Sequence, residues 1–331
     1  MTPIPVVIDT DAGTDVDDAL ALALALASPE IDLRGVTIVD GDVNLRARIV
    51  ARLLGQLGRP DIPVVPGSSQ PLGPGRMPTM RGHEGRGILD VDYNGPEAVI
   101  LDQGAAEWLV ELSHQLPVHA VAIGPYTNIA RALQLDPALA QRLTHLTVMG
   151  GTVDASRYTS AWKAHFARNG ITGAWLDHNS ASDPEAALIC ATSGVPMTWV
   201  TAELTFCTPI FEAAIDAFST TKSIPGETLA RLLRVWADEW FHYVGPGQSG
   251  PSPFPAESVA CLHDPLALAS LFPGPWLTTQ DMTLDYRVEE DLFRTIPSTS
   301  GATASVSTAV DAPAFEAFVV QRIIGLLLRQ V

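Results

Sequence analysis

Short apolar runs rich in β-branched residues recur along the chain at 5–8, 35–39, 62–65, 118–123, 146–149 and 196–200. Runs of this length and composition predict buried strands. Between them the apolar positions take helical spacing. Residues 42–58 are amphipathic and stop on Gly58, 103–116 repeat the pattern, and 182–194 open with Ser182, Asp183 and Pro184 and close on Gly194. Strand and helix in alternation predict an α/β fold with an open, mainly parallel central sheet flanked by helices. Residues 19–27, alternating Ala and Leu, have the period of a strand. Both residue types are strong helix formers, acidic residues precede them and Ser28-Pro29 follows, so the stretch predicts a buried helix that is apolar all round.

No Ser/Gly linker, repeat or low-complexity tract divides the 331 residues, and one domain over 1–331 is expected. With 47% hydrophobic and 17% charged residues, the chain can bury a sizeable core. Cys190, Cys207 and Cys261 stand far apart without metal-type spacing, which fits a reduced cytoplasm. No basic leader precedes the first strand, and the longest apolar run is too short to span a bilayer. A net charge of −17 repels polyanions, which argues against nucleic-acid partners.

The densest chemistry follows the first strand, in DTDAGTDVDDA (9–19), where Asp9, Asp11, Asp15, Asp17 and Asp18 crowd together. Asp17 and Asp18 fall in the first turn of the predicted helix, where free N–H groups favour carboxylates, and Asp15, Asp17 or Asp18 is a candidate cap. Capping leaves Asp9 and Asp11 unexplained, since two-residue spacing on a strand puts them on one face. Converging carboxylates raise one another's pKa unless a cation neutralises them, and all-oxygen ligation points to Ca²⁺ or Mg²⁺. An EF-hand is excluded, because Thr14 and Leu20 stand where its turn Gly and bidentate Glu belong. VVIDTDAGT also resembles the strand end of haloacid-dehalogenase-type phosphatases, with Asp9 as nucleophile and Asp11 as acid. The lysine that family needs has no recognisable counterpart among Lys163 and Lys222.

The whole pattern, Asp9-Thr10-Asp11, Gly13 and Asp17-Asp18-Ala19, resembles the signature of the inosine/uridine-preferring nucleoside hydrolases, in the longer DTDxGxDxDDA form of a bacterial subgroup. Further landmarks follow in order: AIGPYTNIARAL (122–133), VMGG (148–151), NSASDPEAA (179–187) and CLHDPLALA (261–269). The resemblance implies a Rossmann-like fold, a nucleoside substrate, a homodimer or homotetramer, and a Ca²⁺ ion held by Asp11, Asp18, the carbonyl of Thr127 and Asp264. It further implies Asp11 as general base, Asp17 on the ribose 2′-hydroxyl, Asn179 on the ribose, His263 as acid or hydrogen-bond donor to the leaving base, and His83 in the base pocket. This chemistry is coherent in itself, since N-glycosidic cleavage passes through an oxocarbenium-like sugar and needs a deprotonated water on the face opposite the base.

Three positions depart from the family pattern. Asp177 replaces a glutamate that touches the sugar, Asp42 replaces an asparagine that supports the metal site, and the asparagine expected at Ile171 has its nearest counterpart at Asn169. Trp236, Trp240, His242 and Tyr243 are candidates to flank the base, although an aromatic stripe on a helix is more often core. Two rival functions are a dehalogenase-type phosphatase and a catalytically idle nucleoside-binding or sensor protein.

Overall fold

The computed structural model describes residues 2–330 apart from 74, 75, 77, 169–176, 245–252 and 273, and only the backbone of 240–244. The first half alternates β1 (Ile4–Thr10), α1 (Asp17–Ala27), β2 (Ile31–Ile38), α2 (Val43–Gln56), β3 (Val64–Pro66), α3 (Ala105–Gln115), β4 (Val118–Ala122), α4 (Thr127–Leu135), α5 (Leu139–Arg142) and β5 (Leu143–Met149). Then come α6 (Ser160–Arg168), α7 (His178–Ser182), α8 (Pro184–Thr192), β6 (Met197–Val200), α9 (Ala202–Thr205), β7 (Pro209–Phe211), α10 (Glu212–Thr220) and α11 (Ile224–Val244). The chain closes with β8 (Ser258–Cys261), α12 (His263–Ala269), β9 (Leu277–Glu289), β10 (Leu292–Pro297), β11 (Ala302–Val310) and α13 (Ala312–Leu327).

Nine strands form one sheet in the order β10-β9-β11-β6-β5-β4-β1-β2-β3, and β7 pairs with β8 separately. The run from β3 to β6 is parallel throughout, β11 adds to β6 in parallel, and β9 and β10 run antiparallel. The predicted strands are all present, with edges shifted by a few residues. The segment β9 to β11 was not foreseen, because much of its length is exposed and it lacks the continuous apolar run of a buried strand.

Period-two alternation on β1 explains the helices on both faces. Val6 and Ile8 join a core with α1, α2, α12 and α13, while Val7 joins a second core with α3, α4 and α8. Strands covered on both sides must be apolar on both sides. The Ala/Leu stretch is helical as expected, and Leu20 to Leu24 are fully buried. Helices α12 and α13 pack against it, so it carries no polar stripe. No helix among the described residues is long and apolar enough to cross a membrane.

The parallel order β3-β2-β1-β4-β5-β6 reverses direction between β1 and β4. From β1 the chain passes to α1 on one face, and from β4 to α4 on the other. The carboxyl ends of these two strands are therefore the switch point at which open α/β sheets bind ligands.

Candidate active site

Aspartates from distant parts of the chain meet at that switch point. Asp17 and Asp18 open α1 and Asp264 sits in the first turn of α12; one carboxylate oxygen from each lies within 4.8 Å of the others, and all three are buried. Helix α1 starts after Val16 without any side-chain cap, so the expected capping role of Asp15, Asp17 or Asp18 is not observed. Asp17 instead turns its Oδ2 to the backbone N–H of Asp264 at 3.2 Å. The positive ends of two helices thus face one carboxylate group, which offsets part of its repulsion. Thr10, the last residue of β1, donates its hydroxyl to Asp18.

Asp11 lies just past β1. Burial raises the Asp18 carboxyl well above the usual range, and Asp11 is the largest neighbouring charge acting in the same direction. Burial and the charges of Asp17, Asp18, Asp11 and Asp15 do the same to Asp264. Asp17 is raised likewise by burial and by Asp15. Gly124 follows β4 and admits this packing, since a Cβ there would stand 2.9 Å from the N and Oδ1 of Asp11. Next to it, Thr127 opens α4 and donates its hydroxyl to Asp183 at 2.6 Å.

Two carboxylates that the sequence reading did not assign to the site belong to this neighbourhood. Burial and the charges of Asp18 and Asp11 push Asp15 up to about 8. Asp40, in a left-handed turn (φ 66°) after β2, is raised to about 6 by burial and by Asp11. Asp42, which the sequence singled out, is exposed and caps α2 through Leu45 N–H at 2.9 Å. The clue to Asp40 was its place two residues past the end of β2, close to the place Asp11 holds one residue past β1.

Asp9 has a different role. It is 0% exposed, and its Oδ1 accepts from Thr37 at 2.5 Å and Asn128 at 2.8 Å, tying β1 to β2 and α4. Burial, against these hydrogen bonds, raises it to about 7. A carboxylate with no exposed surface and two internal donors cannot attack a substrate, which removes the phosphatase reading.

The remaining candidates fall on the rim or behind it. Asn179 spends its amide N–H groups on the carbonyls of Ile123 and Met149 at 2.8 and 3.1 Å, leaving Oδ1 for a ligand. Asp177 caps α7 and also accepts from Gly151 N–H at 2.5 Å and from the Ser180 hydroxyl, so both its oxygens are already engaged. The Nδ1 of His263 meets Thr205 Oγ1 at 2.7 Å, and that hydroxyl donates onward to the Ala202 carbonyl at 3.2 Å. Thr205 thereby fixes the orientation of the ring and leaves Nε2 as its second polar atom. Burial pushes this imidazole down to about 4, so at neutral pH it is uncharged, with one N–H and one lone pair. His83 is buried, with Nε2 on the Thr14 carbonyl at 2.7 Å and its ring 6.0 Å from that of Trp236. This places it behind the 12–16 loop, beside α11. Asn169 and the side chains of Trp240, His242 and Tyr243 lie outside the described residues.

The donor set suits a hard cation, because it is made of buried carboxylate oxygens without a thiolate or imidazole in the group. Three carboxylates this close, each raised in pKa, have a deficit of positive charge that a divalent ion would fill.

Comparison with known proteins identifies the family. Residues 6–317 match the family model described as inosine-uridine preferring nucleoside hydrolase. The chain is 28% identical to a probable uridine nucleosidase 2 of Arabidopsis thaliana, over 96% of this chain and 97% of that one. It is 31% identical to the pyrimidine-specific ribonucleoside hydrolase RihA of Salmonella schwarzengrund, over 83% and 82%. Among solved structures, a purine-preferring ribonucleoside hydrolase from Gardnerella vaginalis superposes with a TM-score of 0.78 at 26% identity, covering 98% of this chain and 99% of that one.

Proposed function

The chain belongs to the inosine-uridine preferring nucleoside hydrolases, and from that premise we propose that it hydrolyses the N-glycosidic bond of ribonucleosides, with Ca²⁺ at the carboxylate group, to give ribose and the free base. The observation that carries the proposal is the buried meeting of Asp17, Asp18 and Asp264 beside Asp11 at the switch point between β1 and β4. Asp11, Asp18, Asp264 and the Thr127 carbonyl would hold the ion. When bound, it supplies charge that screens the carboxylates, orders the sugar hydroxyls and lowers the pKa of a nearby water.

The chain's own groups do the rest. Asp11 takes the proton of the attacking water, on the face of the sugar opposite the departing base. Asp17 accepts the 2′-hydroxyl and Asn179 offers Oδ1 to the neighbouring one. Positive charge developing on the sugar ring meets a wall of carboxylates, with Asp15 and Asp40 behind those that touch the substrate, and this stabilises the transition state more than the neutral substrate. His263 faces the leaving base with Nε2 while Thr205 fixes its ring, and the base departs with a proton drawn from solvent, which balances the one Asp11 takes from the water.

A reducing-sugar assay over a panel of purine and pyrimidine ribonucleosides, with and without a strong chelator, tests the proposal. Release of ribose that stops on chelation and returns with Ca²⁺ is expected. Binding of nucleoside without ribose release would assign the chain to the idle, sensor-like class instead.

A further inference from the structure

Arg46 is the most deeply buried cation near the site. It projects from α2 with 0% exposure, and its donors go to carbonyls of separate segments rather than to solvent. Nε donates to the Asp40 carbonyl at 2.8 Å, Nη1 to the Asp11 carbonyl and to the Ala12 carbonyl at 3.2 Å, and Nη2 to the Thr79 carbonyl at 2.8 Å. Asp40 closes the ring, as its Oδ2 accepts from Thr79 N–H at 3.0 Å and faces Nη2 at 3.6 Å. One guanidinium thus joins the end of β1, the end of β2 and the loop leading to His83. That loop is tied a second time through Thr14, which donates to Glu84 at 3.0 Å.

On the hydrolase reading given above, we propose that Arg46 is a positioning residue, which sets the backbone of Asp11 and couples the 78–86 loop to the carboxylate group. A planar fork with several fixed N–H directions can hold these four carbonyls at once, and an ammonium cannot reproduce that geometry. The placement matters because Asp11 is both a ligand and the base, and displacement of a reacting group by about 1 Å can cost about 10²-fold in rate. Arg46 also puts positive charge near Asp15, Asp18 and Asp40, which defines the competing explanation, simple charge compensation.

Arg46→Lys and Arg46→Met separate the two. Each variant is first checked for folding by circular dichroism and gel filtration. Affinity for terbium(III), a luminescent stand-in for Ca²⁺, is then measured alongside kcat and KM. Both variants should lose about 10- to 100-fold in kcat and in terbium affinity, the range seen when supporting contacts of metal ligands are removed, with kcat falling more than KM rises. Lysine restoring either quantity would mean that charge suffices, and would overturn the proposal; so would wild-type kcat in both folded variants. Should neither variant fold, hydrogen exchange on the wild-type chain decides. Terbium should slow exchange at 78–86, a stretch without a proposed ion ligand, and unchanged exchange there would overturn the coupling. If the wild-type chain cleaves no nucleoside, the hydrolase reading fails on its own, while the terbium and exchange measurements still judge Arg46.

Discussion

Removing one carboxylate from the buried group should stabilise the metal-free protein and destabilise the metal-loaded one. Asp17, Asp18 and Asp264 present oxygens within 4.8 Å of one another. At an effective dielectric constant of about 20, two unit charges at that separation repel by about 3.5 kcal/mol, or about 10 kcal/mol for three ionised pairs. Asp264→Asn keeps the shape and abolishes two of the pairs. Protonation already relieves part of the repulsion, since burial and neighbouring charges hold all three carboxyls above the ordinary value of 3.8. A net gain of about 2–4 kcal/mol in the metal-free state is therefore expected, or roughly 3–6 °C in Tm for a chain of this size.

Ca²⁺ should reverse the order, because an ion at a thousandfold its Kd adds about 4 kcal/mol to the wild type and little to a variant that has lost a charged ligand. The sign with pH follows from the same shifts. With folded-state pKa values above the unfolded ones, the folded metal-free protein holds more protons in between. Its stability from these groups is complete below the unfolded value of 3.8 and is lost as pH rises through the raised range. Thermal melts of both proteins in chelator and in millimolar Ca²⁺, at pH 5 and pH 8, measure all of this. A metal-free Asp264→Asn that melts below the wild type, or a wild type indifferent to Ca²⁺, would refute the reasoning.

Asp18→Ala should leave the metal-free fold intact, since Asp18 caps nothing, and abolish turnover; activity persisting in the folded variant would remove Asp18 from the ion's ligands. Ribonucleosides should exceed their 2′-deoxy counterparts in kcat/KM by at least about 10²-fold, because Asp17 is left unpaired without the 2′-hydroxyl; comparable values for one base at saturating Ca²⁺ would cancel that assignment. His119 donates to or accepts from Thr147 at 2.9 Å, stands 4.9 Å from the ring of His145, and is pushed down to about 3 by burial and by that neighbour. Its folded pKa lies below the unfolded one, so its contribution is present above about pH 6.5 and lost as pH falls, by about 1–2 kcal/mol between pH 7 and pH 5 after allowing for partial exposure. His119→Gln should flatten urea-denaturation stability over that window, and an unchanged slope would count against the shift.

Local pattern was enough for the parallel part of the fold. Short β-branched runs, amphipathic spacing and Gly or Pro stops each depend on neighbours a few residues away, and they located β1 to β6 and helices α1, α2, α3 and α8. The crowding of Asp11, Asp17 and Asp18 was equally visible, as were the later motifs that bring Thr127, Asn179 and Asp264. Which aspartates share a space was not visible, because it depends on strand order. The reversal between β1 and β4 and the contact of α1 with α12 set Asp264 against Asp17 across 247 positions, while the end of β1 at Thr10 parted Asp9, held in the strand by Thr37 and Asn128, from Asp11 beyond it. Asp42 and Asp40 are two residues apart in one turn, left-handed at Asp40 and Gly41, and within it Asp40 feels the charge of Asp11 while Asp42 caps α2. Arg46 was unreadable for the same reason: an arginine within an amphipathic helix reads as a solvated face, and it becomes a buried clamp only once three chain ends with unpaired carbonyls converge on it.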